Sequence, residues 1–386
     1  MHSMGITPNS LICKANHPTS NIQRPTSNMP TIASHRVLLG LSGGIDSTVS
    51  AMLLMEQGYE VVGVTFRTYG DSNEKSGCGS LAAVEEAKQN AARLGIEHHV
   101  ADFREPFRQC VIQNFIDEYM SGRTPNPCVL CNSCIKWGEM MRMADELQCE
   151  YIATGHYAQI RERDGHLYLA NAVDAQKDQT YFLWMLTEEN LRRTIFPLGG
   201  LTKSEVREIA RQHGYESLAQ KAESQEICFV TDDDYRSFLR ANVPEYNERV
   251  REGDYINQHG QVLGKHMGFV NYTIGQRKGL GVALGHPAYI THIDANTNRI
   301  TLGTNEDMYA SYLCFQIKTL LRPFYSDRPL TAKIRYRTTP VEARLQVDDK
   351  QKTGEVFFSS PVWGITPGQS IVLYQDGLVI GGGIIQ

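Results

Sequence analysis

The stretch Arg36-Val37-Leu38-Leu39-Gly40-Leu41-Ser42-Gly43-Gly44-Ile45-Asp46-Ser47 decides the fold. Residues 36–41 are an apolar run of strand length, 42–46 a glycine-rich turn, and 47–57 a helix with Val49, Met52, Leu53 and Met55 at helical spacing. Gly58 stands where a helix wants its C-terminal cap. Outward from there, residues 59–66 read as a second strand, Leu81–Leu94 as a helix stopped by Gly95, and 98–102 as a third strand. Helices over 107–119 and 136–147 and a strand over 151–154 continue the series. Strands alternating with helices of this length make a parallel sheet covered on both faces. Ligands in such sheets sit beyond the carboxyl ends of the strands, which is where the glycine-rich turn lies.

The second half has a different texture. Residues 202–213 form one more helix, with Thr202 and Glu205 as a capping box and Gly214 as its stop. After Cys228, short alternating stretches punctuated by Gly and Thr, such as Tyr289–Asp294 and 299–302, indicate small β domains. The expected organisation is an extension over 1–34, either disordered or an overlong start with Met4 and Met29 as alternatives. An α/β nucleotide-binding domain over 35–228, a central β domain over 229–305 and a β-barrel over 306–386 follow.

Among 386 residues, 41% are hydrophobic and 21% charged, the composition of a globular protein, and no apolar run has the ~20 residues of a membrane span. The polar start of the chain lacks the apolar core of a signal peptide, so a cytoplasmic protein is expected. A net charge of −5 argues against indiscriminate coating of nucleic acid but leaves room for a local basic groove. Nine cysteines form no regular framework. Cys13, Cys78, Cys110, Cys149 and Cys314 carry no motif and are read as small apolar residues.

The turn after the first strand lacks the Gly-Lys-Ser/Thr of a Walker loop and the GxGxxG of a dinucleotide fold. It offers backbone amides and a helix N-terminus to one anion, with Ser42 and Ser47 adding hydroxyls and Asp46 a ligand for Mg²⁺. Ser-Gly-Gly-x-Asp-Ser after a first strand resembles the PP-loop of the ATP pyrophosphatases, which adenylate a carbonyl-type oxygen and release pyrophosphate. That resemblance leaves amide formation, amidine formation and thiolation all open.

Cysteines narrow the choice. In Thr124-Pro125-Asn126-Pro127-Cys128-Val129-Leu130-Cys131-Asn132, two prolines predict an extended, non-helical loop that delivers Cys131 near a helix start. A thiol there is expected to have thiolate character. Far downstream lies Ser224-Gln225-Glu226-Ile227-Cys228-Phe229. Spacing alone does not pair two cysteines 97 residues apart.

From Arg36 to its end the chain resembles the tRNA-specific 2-thiouridylases, the bacterial MnmA and mitochondrial TrmU family. The resemblance rests on GLSGGIDS, GRTPNPCVLCN, ATGHYA, KDQTYFL, FPLGGLTKSEVR, SQEICF, YTIGQRKGLG and PGQS, in the family's order. It implies a PP-loop domain, a small central β domain and a C-terminal β-barrel. It also implies 2-thiolation of the wobble uridine of tRNA, with ATP adenylating O2 of the base. Cys131 matches the nucleophile and Cys228 the carrier of a persulfide received from a sulfur-relay protein. Gly40, Leu41, Ser42, Gly43, Gly44, Ile45, Asp46, Ser47, Phe66 and Gly155 match the ATP site. Asn126, Pro127, Cys128, His156, Lys177, Asp178, Gln179, Arg335, Tyr336 and Gln369 match tRNA contacts. The family's usual substrates are tRNAs for Lys, Glu and Gln.

Two departures stand out. Many family members have Asp where this chain has Cys128, which creates Cys-x2-Cys-x2-Cys at 128, 131 and 134, a spacing an iron–sulfur cluster or zinc can use. Bare cysteine chemistry is the preferred reading. The other departure is the run 67–71 after Phe66, where the family reads closer to Lys-Asn-Trp. Without the family motifs, His156 reads as a hydrogen-bonded structural residue and residues 177–179 as a solvated run. A PP-loop ligase for a small metabolite and a non-catalytic tRNA-binding paralogue are the rival classes.

Overall fold

Val37, Leu38 and Leu39 have no exposed surface because β1 (Arg36–Gly40) is the middle strand of a parallel sheet. A computed structural model describes residues 35–69, 79–221, 227–230, 234–321 and 328–386, all of them within one compact unit. The expectations for residues 1–34, Cys13, Cys78 and residues 70–71 lie outside the described residues. β2 (Glu60–Arg67), β3 (Glu97–Asp102) and β4 (Tyr151–Ala153) join β1. After a hairpin of β5 (Gln159–Arg163) and β6 (His166–Ala170), β7 (Thr194–Ile195) completes the sheet in the order β3-β2-β1-β4-β7. Strand order reverses at β1, so a crevice opens at its carboxyl end between the segments that follow β1 and β4.

Helix α1 (Ile45–Glu56) and helix α2 (Leu81–Leu94) lie where the periodicity predicts. Ser80 caps α2 by accepting from the Ala83 amide, and Gly95 ends it at φ 72°. The Thr202–Glu205 capping box also forms, opening the helix Lys203–Gln212. The proline loop behaves differently from expectation. Helix starts at Pro127 and runs through 127–146, so Cys131 lies inside the helix rather than ahead of it. The physical reason is that a proline in the first turn loses no hydrogen bond and already has a helical φ. Pro125 stays outside. Within this run Cys131–Glu139 widens to π-helical geometry, as does Arg108–Ile112 within the helical run 104–120.

Four strands, β8 (Gly253–Ile256), β9 (Val262–His266), β10 (Tyr289–Asp294) and β11 (Arg299–Gly303), form the central sheet around Tyr255, Ile290 and Ile300. The C-terminal strands are β12 (Tyr309–Leu320), β13 (Leu330–Lys333), β14 (Val341–Asp348), β15 (Thr353–Trp363), β16 (Ser370–Gln375) and β17 (Leu378–Ile385). They close into a barrel because β12 pairs with both β15 and β17. Hairpin β5–β6 extends this sheet through Ala170 opposite Leu378. A segment from the first half of the chain therefore lies against the barrel.

Candidate active site

The loop from Gly40 to Ser47 is organised by its own small residues. Gly43 adopts φ 80°, and a Cβ there would meet Ala83 O and the Ala87 amide at 3.2 Å. Ser47 Oγ accepts from the Ser42 amide at 3.1 Å and donates to Gly44 O at 3.0 Å, and Ser42 Oγ lies 3.2 Å away. Gly44 is the N-cap of α1 and has no side chain to satisfy the first-turn amides. Those amides and the helix dipole are what a phosphate needs. Gly155, just past β4, lets the second wall approach: a Cβ there would lie 2.9 Å from Asp46 C and 3.0 Å from the Ser47 amide.

Asp46 is not left to solvent. Lys203 Nζ lies 2.8 Å from both carboxylate oxygens, and the Tyr157 hydroxyl donates to Oδ1 at 2.8 Å. The Lys203 side chain is only 7% exposed and its backbone amide donates to Asp174 Oδ2. Both oxygens of this carboxylate are thus engaged by the ammonium, and one of them also by the Tyr157 hydroxyl. Sequence reasoning used Thr202 and Glu205 as caps and missed Lys203. The available signal was a lysine at a helix's first position, where the dipole disfavours a cation unless an anion faces it.

Cys131 and Cys228 border the same hydrophobic cluster. Both are half-buried and pack against a core that contains Phe103, Phe107, Phe115, Phe229 and Phe238, and Phe66 of the expected ATP site packs there too. Phe229, 1% exposed, meets Phe107, Phe115 and Phe238 with ring centroids 5.1–5.6 Å apart. It pins the residue next to Cys228. On the other side, Asn132 Nδ2 donates to Phe182 O at 2.9 Å, fixing the helix next to Cys131. Cys128 is exposed at the start of the same helix.

Cys110, read as an unpaired apolar residue, is disulfide-bonded to Cys134 across the two helical runs. That bond removes Cys134 from the triple at 128, 131 and 134. Among the described residues, no group of three His, Cys, Asp or Glu side chains is arranged to hold a metal. Cys149 is buried, and burial raises its thiol pKa.

Most of the residues matched to tRNA contacts form braces within the protein. Gln369 Nε2 donates to Thr124 O (3.0 Å) and Pro125 O (2.8 Å), and the Thr124 amide donates to Pro367 O. Between them Gly368 adopts φ 90°, and a Cβ there would lie 2.7 Å from Thr124 O. The barrel thus holds the entrance to the cysteine helix. Asp178 is buried, accepting from the Ala172 amide and from Thr180 N and Oγ1. Gln179 and Tyr157 exchange hydrogen bonds at 2.9 Å, and the Lys177 amide donates to Asp174. Tyr181, in the same motif, donates to Ile334 O and Ser370 O of the barrel and also meets the Asn126 side chain. Pro127 is buried as the first residue of its helix. Arg335 donates to Gly364 O and Thr366 Oγ1 and lies 5.2 Å from the Trp363 ring, with burial lowering its pKa. The Tyr336 and Phe182 ring centroids are 4.5 Å apart.

His156 links the two halves of the site. Its Nδ1 shares a hydrogen bond with Thr154 Oγ1 at 2.8 Å, and Nε2 accepts from Lys136 Nζ of the cysteine helix at 3.3 Å. Burial, then the Lys136 charge, pushes its pKa well below the ordinary imidazole value, so the ring is held neutral.

Family profiles described as the tRNA methyl transferase HUP domain, the tRNA methyl transferase PRC-barrel domain and the Aminomethyltransferase beta-barrel domain match residues 35–232, 237–304 and 319–385. The chain is similar to the tRNA-specific 2-thiouridylase MnmA of Amoebophilus asiaticus, 46% identical over 360 residues, 91% of this chain and 95% of the relative. It is also similar to tRNA-specific 2-thiouridylase MnmA 3 of Phocaeicola vulgatus, 48% identical over 355 residues, 91% of this chain and 94% of the relative. The Salinibacter ruber tRNA-specific 2-thiouridylase MnmA is 46% identical over 361 residues, with coverage of 91% and 94%. Among the described residues no helix is long and apolar enough to cross a membrane.

Proposed function

The chain belongs to the tRNA-specific 2-thiouridylases, sulfurtransferases of tRNA uridine, and on that premise we propose how its residues carry the reaction. The loop Gly40–Ser47 binds the ATP phosphates through its amides, with Lys203 beside them and Phe66 and Gly155 bordering the nucleotide. ATP adenylates O2 of the wobble uridine and releases pyrophosphate, which turns the base oxygen into part of a leaving group. The terminal sulfur of a Cys228 persulfide attacks C2 and AMP departs with the oxygen. Cys131 thiolate then attacks Cys228 Sγ, freeing the 2-thiocarbonyl and leaving a Cys131–Cys228 disulfide. The balance closes: the persulfide sulfur gains the two electrons that the two cysteines lose.

One observation carries this reading. Phe66, Cys131 and Cys228 border a single aromatic core, although they are far apart in the chain. The target base must leave its stack to reach them, which tRNA-modifying enzymes achieve by turning the nucleotide out. tRNAs for Lys, Glu and Gln and a persulfide-donating protein are the proposed partners.

Nucleoside mass spectrometry of tRNA incubated with the protein, ATP and a persulfide donor tests the proposal. The wild type forms 2-thiouridine. Cys131→Ser and Cys228→Ser form none, yet still release pyrophosphate when tRNA is present. Undiminished 2-thiouridine in either variant would end this assignment. Pyrophosphate exchange driven by a small metabolite without tRNA would favour the ligase class instead.

A further inference from the structure

One helical run touches the nucleotide loop at one end and carries Cys131 near the other. Met140 is buried, and its Cε and Sδ lie 3.9 Å from where a Cβ on Gly40, the first residue of the loop, would stand. Cys131 opens the π-helical stretch Cys131–Glu139, in which each amide bonds five residues back. Lys136 therefore stands one turn on from Cys131 along the same face, and Met140 follows by one turn more. An ammonium is carried between the sulfur and the loop.

Lys136 is half-buried, and its Nζ donates to His156 Nε2 at 3.3 Å. Among the described residues it has no carboxylate partner. A partly buried ammonium whose acceptor is uncharged is completed by an anion. His156 is fixed from behind: Thr154 Oγ1 lies 2.8 Å from Nδ1, and the Trp137 and Phe196 rings flank the imidazole with centroids 5.9 and 6.5 Å away. Burial keeps this ring uncharged, so it accepts from the lysine instead of repelling it. The residue before it, Gly155, is the one that approaches Asp46 and Ser47. Lys203 is already tied to both oxygens of Asp46, whereas Lys136 has no such anchor.

We propose, on the thiolation reading above, that Lys136 is a further catalytic residue that contacts the α-phosphoryl group of ATP, and that His156 is the positioning residue that aims its ammonium. As uracil O2 bonds to the α-phosphorus, the bond to the bridging oxygen breaks and its electron pair leaves with pyrophosphate. The ammonium faces the negative charge that gathers on the α-phosphoryl oxygens, and faces it again when AMP departs. Loading of sulfur onto Cys228 involves no phosphate and does not use Lys136.

The test follows pyrophosphate release in a single turnover of the full-length protein with tRNA, over a range of ATP concentrations. Persulfide loading of Cys228 and the urea midpoint are measured alongside. Lys136→Met is expected to lower the maximal rate about 100-fold, the loss typical of one donor aimed at developing charge. The half-saturating ATP concentration, the loading and the midpoint should stay near those of the wild type. Lys136→Gln, a polar replacement, should show the same loss. His156→Leu should lower the rate by a smaller factor, and the double variant should be no slower than Lys136→Met, because His156 acts only through the lysine. Losses that add in the double variant would remove His156 from this role. Release by folded Lys136→Met at the wild-type maximal rate, or a loss confined to ATP affinity, overturns the proposal and leaves thiolation intact. An equal loss of Cys228 loading also overturns it, since a structural support would act on both steps. Wild-type protein that forms 2-thiouridine without releasing pyrophosphate overturns the thiolation reading as well.

Discussion

The nucleotide loop and the cysteine helix are built on opposite plans. Residues 40–47 take their shape from each other, through Gly43, Gly44 and hydroxyls within a few positions. The start of the cysteine helix takes its position from residues far away: Gln369 from the barrel and Phe182 from the segment after the hairpin. A loop that organises itself can pass between many enzymes of different chemistry. A helix held by distant residues is tied to one architecture, and its chemistry should respond to changes well outside the first domain.

The largest predicted break is at Phe229. Phe229→Ala removes a fully buried ring from the core that supports both cysteines and should cost about 3–5 kcal/mol, read by urea unfolding. In conditions where the variant stays folded, sulfur transfer should fall further than ATP affinity. Lys203→Met acts on the other region. It leaves the Asp46 carboxylate without its cation and should cost roughly 2–3 kcal/mol, less than a fully buried pair because Asp46 is 34% exposed. Calorimetric ATP binding should weaken in this variant, while persulfide loading of Cys228 is unaffected.

Gln369→Ala sharpens the comparison most cleanly. Losing two hydrogen bonds to Thr124 and Pro125 should cost about 1–2 kcal/mol and lower kcat for thiolation, with the ATP KM unchanged. An ATP KM that rises with it would mean the two regions are not separately supported. The smallest effect is one of pH. Because the His156 pKa is depressed in the folded state, the unfolded chain binds the extra proton, so its contribution is complete above the ordinary value of 6.5 and is lost as pH falls below it. His156→Asn should flatten the fall in urea-unfolding stability on the acid side. His98 and His266, also depressed by burial, keep part of that slope in the variant.

Sequence reading found what is local. The strand–turn–helix at 36–57, the Leu81–Leu94 helix with its Gly95 cap, and the Thr202–Glu205 box are set by residues a few positions apart. Alternating patterns announced β structure in the second half, and the closed barrel bears this out. Hairpin β5–β6 joining the barrel gave no sign, because its outer partner β17 lies about two hundred residues downstream. Lys203 meets Asp46 across 157 positions and Gln369 meets Thr124 across 245, distances at which no periodicity operates. The proline pair misled for a different reason: proline excludes a helix interior but suits its first turn, and Pro127 takes that place. Cys110 carried no motif, and only the packing of two helical runs brings it to Cys134.

In the proposed reaction ATP activates the base oxygen and a cysteine supplies the sulfur that replaces it. Transcribed tRNA bearing ¹⁸O at O2 of the wobble uridine tests it directly, with the AMP released during thiolation analysed by mass spectrometry. The AMP is expected to carry one ¹⁸O for each 2-thiouridine formed. Unlabelled AMP, with the heavy oxygen recovered in water, would contradict it.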